Sequence, residues 1–208
     1  MTLEDILRTG PVMPVVVIDD AAHAVPLARA LVAGGIRAIE ITLRTGAALD
    51  AVQAIAREVP DAIPGVGTAL TGNDVLAALE AGAKFIVSPG ATPALLQAAI
   101  GSGLPFLPGV ATASELMAGL AAGLTAFKFF PAAQAGGVEA LKALAGPFPN
   151  ARFCPTGGVS PANAASYLAL SNVLCVGGSW ITPRELIAAG DFGRIEQLAR
   201  EASGLRPQ

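Results

Sequence analysis

Apolar and polar positions along the chain fall into a unit that repeats. An Ala- and Leu-rich stretch of helical period ends in glycine, and a short apolar run follows. The unit appears at residues 27–33, Gly34-Gly35 and 38–43, then at 75–81, Gly82 and 85–88. It returns at 95–100, Gly101-Ser102-Gly103 and 106–108, and again at 116–122, Gly123 and 126–130. Glycine suits the left-handed position just past a helix end. Thr92-Pro93, Ser160-Pro161 and Thr182-Pro183 each set a hydroxyl cap before a proline at the first helical position, and Thr71 and Ser114 are further cap candidates. Strands are predicted at 12–18, 38–42, 62–65, 85–88, 106–108, 126–130, 152–155 and 173–177. Strands alternating with helices give a parallel sheet through right-handed crossovers. Eight such units predict a closed (β/α)8 (TIM) barrel, a single domain over residues 1–208, with an open doubly wound sheet as the alternative. Residues 3–9 read as a short extra helix at the barrel floor.

Polar residues interrupt two of these strands. In residues 38–44, alternation turns Ile39, Ile41 and Leu43 toward the helices and Glu40, Thr42 and Arg44 into the barrel. In residues 126–130, Phe127 and Phe129 take the helix side, while Lys128 and Phe130 point inward. Burying a charge is expensive unless it is paired or functional. Desolvation among phenylalanines favours the neutral amine of Lys128, the form that attacks a ketone to make a Schiff base. Spacing alone leaves a second reading open, in which Glu40 and Lys128 are an inert buried ion pair. Thr156-Gly157-Gly158 after the seventh strand and Gly177-Gly178-Ser179 after the eighth sit where barrels often bind phosphate on backbone N–H groups. Ordinary strand-to-helix turns are the other reading of these two loops.

Composition narrows the classes. Of 208 residues, 53% are hydrophobic and only 14% charged, where about 25% charged is usual. A large core follows, and intrinsic disorder is excluded. The net charge of −3 argues against a nucleic-acid or anionic-membrane partner. Residues 85–114 and 153–183 carry no charge and could span a bilayer by length. Pro89, Gly90, Pro105 and Pro108 break the first, and Gly157, Gly158, Pro161 and Gly177 break the second, so both read as soluble core. Residues 1–10 hold Glu4 and Asp5 and no basic apolar leader, and two cysteines suit a reducing compartment, so a cytoplasmic setting is expected. His23 is the one histidine, and without a ligand cluster no metal is expected. Lys84 and Lys142 read as surface residues, His23 as surface or capping, Cys154 and Cys175 as core thiols, and Trp180 as packing at the barrel end. Asp19-Asp20 reads as a helix cap in preference to a lining of the mouth.

At these residues the chain resembles the bacterial 2-keto-3-deoxy-6-phosphogluconate (KDPG) aldolase / 4-hydroxy-2-oxoglutarate (KHG) aldolase family. The resemblance rests on Glu40-Ile41-Thr42-Leu43-Arg44-Thr45, Gly65-Val66-Gly67-Thr68, Ser88-Pro89-Gly90, Phe127-Lys128-Phe129-Phe130-Pro131, Cys154-Pro155-Thr156-Gly157-Gly158 and Val176-Gly177-Gly178-Ser179-Trp180. It covers nearly the whole chain, with Val66 standing where the family pattern carries Ala. It implies a metal-independent class I aldolase of the Entner–Doudoroff pathway, cytoplasmic and homotrimeric, that needs no cofactor beyond the covalent Schiff base on Lys128. It further implies Glu40 as general acid/base, Arg44 and Thr68 on the pyruvate carboxylate, and Gly157, Gly158, Gly178 and Ser179 at the substrate phosphate. Thr156 and Phe130 match pocket-lining positions. The partner implied is a small phosphorylated keto acid. Two other readings stand beside it: an aldolase for the galactonate epimer, and a phosphosugar-binding barrel without catalysis.

Overall fold

The computed structural model describes residues 1–205. Apolar runs and glycine-ended helices alternate as the period predicts. The first half comprises α1 (Leu3–Leu7), β1 (Val12–Val16), a 3-10 turn (Ala21–His23), α2 (Ala24–Ala33), β2 (Ala38–Thr42), α3 (Ala48–Glu58), β3 (Ile63–Gly67), α4 (Gly72–Glu80) and β4 (Phe85–Val87). The second comprises α5 (Pro93–Gly101), β5 (Phe106–Leu107), β6 (Gly109–Val110), α6 (Ala113–Ala121), β7 (Ala126–Phe129), α7 (Gly137–Ala145), β8 (Arg152–Pro155), α8 (Ala164–Leu168), β9 (Val176–Gly178), α9 (Arg184–Ala188) and α10 (Phe192–Ser203). The glycines expected past helix ends, Gly35, Gly82, Gly103 and Gly123, all have positive φ.

The strands are parallel and form two sheets, one of order β5-β4-β3-β2-β1-β9 and one of order β6-β7-β8. The expected single eight-stranded ladder is therefore interrupted, and two local causes explain it. Pro108 has no N–H and splits the fifth strand, so that Phe106 and Leu107 pair with β4 while Gly109 and Val110 pair with β7. Between β8 and β9 only two isolated parallel bridges remain, Phe153 with Val173 and Thr156 with Gly177. Three steps along one strand there face four along the other, which is a bulge, and Pro155 cannot donate across it. The eighth strand accordingly starts at Val176 rather than at Val173.

Side-chain direction sorts the core into two parts. Outward residues such as Ile39, Ile41, Phe127, Phe129 and Phe153 join the large cluster beneath the helices. Inward residues near the strand starts, among them Met13, Ala38, Ile63, Phe85 and Ala126, form a second cluster with Ile6 and Leu7 of α1. The short N-terminal helix thus closes the floor, as expected. Cys154 and Cys175 are free and buried in this inner cluster, with sulfurs 3.6 Å apart. The hydrogen bond to Cys154 and burial push the Cys175 thiol well up, which makes Cys175 an inert core group.

Three cap expectations need correction. Thr71 and Thr92 do cap α4 and α5. The cap of α6 is Thr112, not Ser114, because Thr112 forms a reciprocal box with Glu115. Ser160 and Thr182 do not cap: α8 starts after Asn163 and α9 after Pro183, neither with a side-chain cap bond. Asp20 caps the 3-10 turn through the Ala22 N–H, as read. His23 sits at the N-cap position of α2 without a cap bond, its ring 5.9 Å from that of Phe192. Among the described residues no helix is long and apolar enough to cross a membrane.

Candidate active site

The inward positions of β2 and β7 meet across the interior. Lys128 Nζ donates to Glu40 Oε1 at 3.1 Å. The side chains are 4% and 0% exposed, so water does not screen the contact. Because β2 and β7 belong to different sheets, this contact means that the two sheets enclose one common interior. Lys128 Nζ also lies 5.4 Å from the centre of the Phe130 ring, on the positive-charge-favouring face of the aromatic. Glu40 Oε2 is buried with no hydrogen-bond partner among the described residues. An inert buried pair is expected to satisfy every oxygen, because an orphan acceptor costs about 1–3 kcal/mol. The carboxylate therefore keeps one acceptor in reserve.

Room for this carboxylate is made by the neighbouring strand. Gly67 pairs with Thr42, and a Cβ on Gly67 would lie 2.3 Å from Glu40 Oε1. Gly177 does the same for Thr156, whose Oγ1 would meet a Cβ there at 2.2 Å. Sequence reasoning gave neither glycine a packing role, although a glycine inside a strand signals close approach. Thr68 follows Gly67 at the end of β3 with φ +62°, a left-handed backbone uncommon for threonine.

Above the pair a cleft of about 640 Å³ opens at the C-terminal ends of the strands. Arg44, Phe130, Thr156, Gly157, Gly158, Gly178 and Ser179 are brought together in its lining. Thr68 is outside this lining, because the cleft runs over β1, β7, β8 and β9 while β3 lies on the far side of β2. Strand β2 ends at Thr42, so Arg44 is carried on the following turn as an exposed cation at the mouth. Gly157 and Gly158 adopt φ +96° and +73°, and their N–H groups, with that of Ser179, reach no backbone acceptor among the described residues. A concave array of unused N–H groups is suited to an anion. Three further residues at this mouth were not expected to act there: Thr182 and Arg184 line the cleft, and Asp19 holds Arg184. A second hollow of about 610 Å³ lies at the opposite, N-terminal end beside α1, away from the buried pair.

Comparison with known proteins identifies the family. The family model for KDPG and KHG aldolase matches residues 3–198. The chain belongs to the KDPG and KHG aldolase family. It is 58% identical over 199 residues to the KHG/KDPG aldolase of Escherichia coli K12, covering 96% of this chain and 93% of that protein. The KDPG aldolase of Legionella pneumophila, solved with pyruvate captured as a covalent carbinolamine, superposes with a TM-score of 0.95 at 46% identity over 98% of each chain. The Zymomonas mobilis ZM4 KDPG aldolase, solved with 3-phosphoglycerate, gives 0.92 at 48% identity over 98% of this chain and 96% of that one. Membership in this aldolase family makes the chain a carbon–carbon lyase with an α/β fold built on parallel strands.

Proposed function

We propose that this chain cleaves 2-dehydro-3-deoxy-6-phospho-D-gluconate to pyruvate and D-glyceraldehyde 3-phosphate through an imine on Lys128. By the same route it cleaves 4-hydroxy-2-oxoglutarate to pyruvate and glyoxylate. The observation that carries this reading is the buried Lys128–Glu40 pair with one carboxylate oxygen unpartnered, set beneath an anion-suited cleft. Neighbours solved with a covalent pyruvate adduct and with a phosphorylated acid support it.

The steps follow from the groups present. The Lys128 amine attacks the C2 ketone, water leaves, and a protonated imine forms. That cation draws electrons from C3. As the C3–C4 bond breaks, Glu40 accepts the C4 hydroxyl proton, directly or through a water, and the aldehyde departs. The bonding pair remains as an enamine, which is reprotonated at C3 and hydrolysed to pyruvate. Arg44 and Thr68 hold the pyruvate carboxylate. Gly157, Gly158, Gly178 and Ser179 receive the phosphate, and Thr156 and Phe130 shape the pocket. The imine serves as electron sink, so the reaction needs no added cofactor.

Chain-level readings accompany this one. The two sheets act as a single eight-unit barrel in one domain, β5 and β6 being halves of the fifth strand. A cytoplasmic setting goes with two free thiols. A homotrimer goes with the family, and the exposed apolar side chains of Leu70, Leu76, Leu79, Ile100 and Met117 favour it.

Borohydride reduction in the presence of pyruvate, followed by peptide mapping, tests the reading. A single reduced adduct on Lys128, absent from Lys128→Arg, is expected, since guanidinium stays protonated and is a poor nucleophile. No adduct on the wild-type chain, with pyruvate shown to bind, would reduce Lys128 to a structural cation.

A further inference from the structure

The rim of the cleft carries a charged contact that the chemistry above does not use. Arg184, at the start of α9, grips Asp19, just beyond β1, across 165 residues of sequence. Its Nη2 donates to Asp19 Oδ1 at 2.6 Å and to Oδ2 at 2.8 Å, and its Nε donates to Oδ2 at 3.2 Å. These bonds occupy one edge of the guanidinium. Among the described residues Nη1 has no partner, so two N–H donors of a permanently charged group remain for something else.

Stability is a weak explanation for the contact. The side chains are 60% and 58% exposed, and exposed ion pairs contribute about 0–1 kcal/mol. Position offers a stronger one. Arg184 lines the cleft together with Ser179, Gly157 and Gly158. Asp19 and Glu185 flank it, so without Arg184 the rim of an anion site would carry two unpaired carboxylates against Arg44, the one other cation of its lining. A second observation points the same way. Thr182 also lines the cleft, only 3% exposed, and its hydroxyl has no hydrogen-bond partner among the described residues. The Thr182 N–H donates to Ser179 O at 3.1 Å, which holds that hydroxyl and the Ser179 loop in one turn.

We propose that Arg184, oriented by Asp19, binds the terminal phosphate of the substrate and, with the Thr182 hydroxyl, sets the preference for a phosphorylated over an unphosphorylated keto acid. The inference rests on the aldolase reading above and adds residues to it. A planar guanidinium with one edge fixed and the other free loses little freedom when it meets phosphate oxygens. The shorter 4-hydroxy-2-oxoglutarate ends in a carboxylate borne directly on C4, which stops short of the phosphate position and gains little from it.

Steady-state kinetics on both substrates test the assignment, using Arg184→Met, Arg184→Lys and Thr182→Val. Arg184→Met is expected to raise KM for the phosphorylated substrate about ten-fold, the low end for a hydrogen bond to a charged group. Its kcat should stay within about two-fold, as should KM for 4-hydroxy-2-oxoglutarate, because uniform binding is what is lost. Arg184→Lys should recover part of the loss, and Thr182→Val should raise only the first KM. An unchanged ratio of the two KM values, or an equal rise in both, overturns the proposal. Pyruvate trapping separates the failures. Absence of trapping in the wild-type chain strikes the aldolase reading itself. Intact trapping in wild type and variant with an unchanged KM ratio strikes only Arg184, and trapping lost in the variant alone would make Arg184 part of the general architecture and equally overturn a specificity role.

Discussion

Lys128 and Glu40 can both be charged in the interior only because they face each other at 3.1 Å. The same closeness separates a catalytic role from an inert one by experiment. Glu40→Gln keeps an oxygen that accepts from Lys128 and removes the proton acceptor. Its kcat should fall roughly 10²–10⁴-fold while KM moves little, since general acid–base catalysis is worth about that much. Pyruvate trapping on Lys128 should survive, because the substitution leaves the nucleophile itself in place. Loss of trapping and affinity in proportion to kcat would mark the pair as structural. Gly67 offers an independent probe from the neighbouring strand. A methyl there would stand 2.3 Å from Oε1 and 2.5 Å from Cγ of Glu40, and Glu40 is fixed by burial and by Lys128. Gly67→Ala should therefore displace the carboxylate and lower kcat about 10²-fold, the usual effect of misplacing a reacting group by about 1 Å. Activity within a few-fold of wild type would show that the position of Glu40 is not critical.

At the scale of elements, the sequence revealed more about strand faces than about where strands stop. Glu40 and Lys128 were visible because a charge on an otherwise apolar strand of period two has only one face to occupy. The bounds of β2 and β8 agree with expectation, whereas β9 starts three residues late because a bulge next to Pro155 has no periodic signature. Among helix starts, Thr71 was legible as the cap of α4, which it closes reciprocally with Asp74. At α6 the expected cap, Ser114, lies inside the helix, because the reciprocal box of Thr112 with Glu115 starts it earlier. That box makes a prediction. The Ala111 N–H bonded to Glu115, with those of the Thr112 side chain and backbone, holds the Glu115 carboxyl below the ordinary glutamate range against opposing desolvation. A lowered folded value contributes stability above the unfolded pKa and loses it as pH falls through the folded one. Thr112→Ala should cost about 1 kcal/mol at neutral pH, as cap removals do. The stability difference between wild type and Glu115→Gln, read from urea midpoints, should be present at pH 7 and vanish under acid conditions. A difference that is constant with pH would exclude the carboxylate as its source.

For the whole molecule, what the sequence left illegible lies at the mouth of the cleft. Asp19, Thr182 and Arg184 sit on loops, where no periodicity aims a side chain, and the Asp19–Arg184 contact closes only when β9 folds back beside β1. Thr68 came from resemblance alone and stands apart from the cleft lining. The apolar surplus of the composition, by contrast, has a place in the fold. Most of it fills the interior, but Leu76 and Leu79 on α4, Ile100 on α5 and Met117 on α6 remain 57%, 46%, 44% and 60% exposed. Exposed apolar side chains grouped on consecutive helices mark an association surface. A ring of three needs a heterologous contact, in which two different faces of each copy meet and the rotation closes. Charges buried in such a contact go unpaired, so one substitution suffices to open it. In sedimentation velocity the wild-type chain should run as a trimer, and Leu76→Asp or Met117→Asp should shift it to monomer at micromolar concentration. Pyruvate trapping on Lys128 in the dissociated variant should persist, since every residue assigned to the imine and its acid–base partner comes from one chain. A wild-type monomer removes the trimer, a variant that stays trimeric moves the interface to another face, and trapping lost on dissociation would mean that a neighbouring copy completes the site.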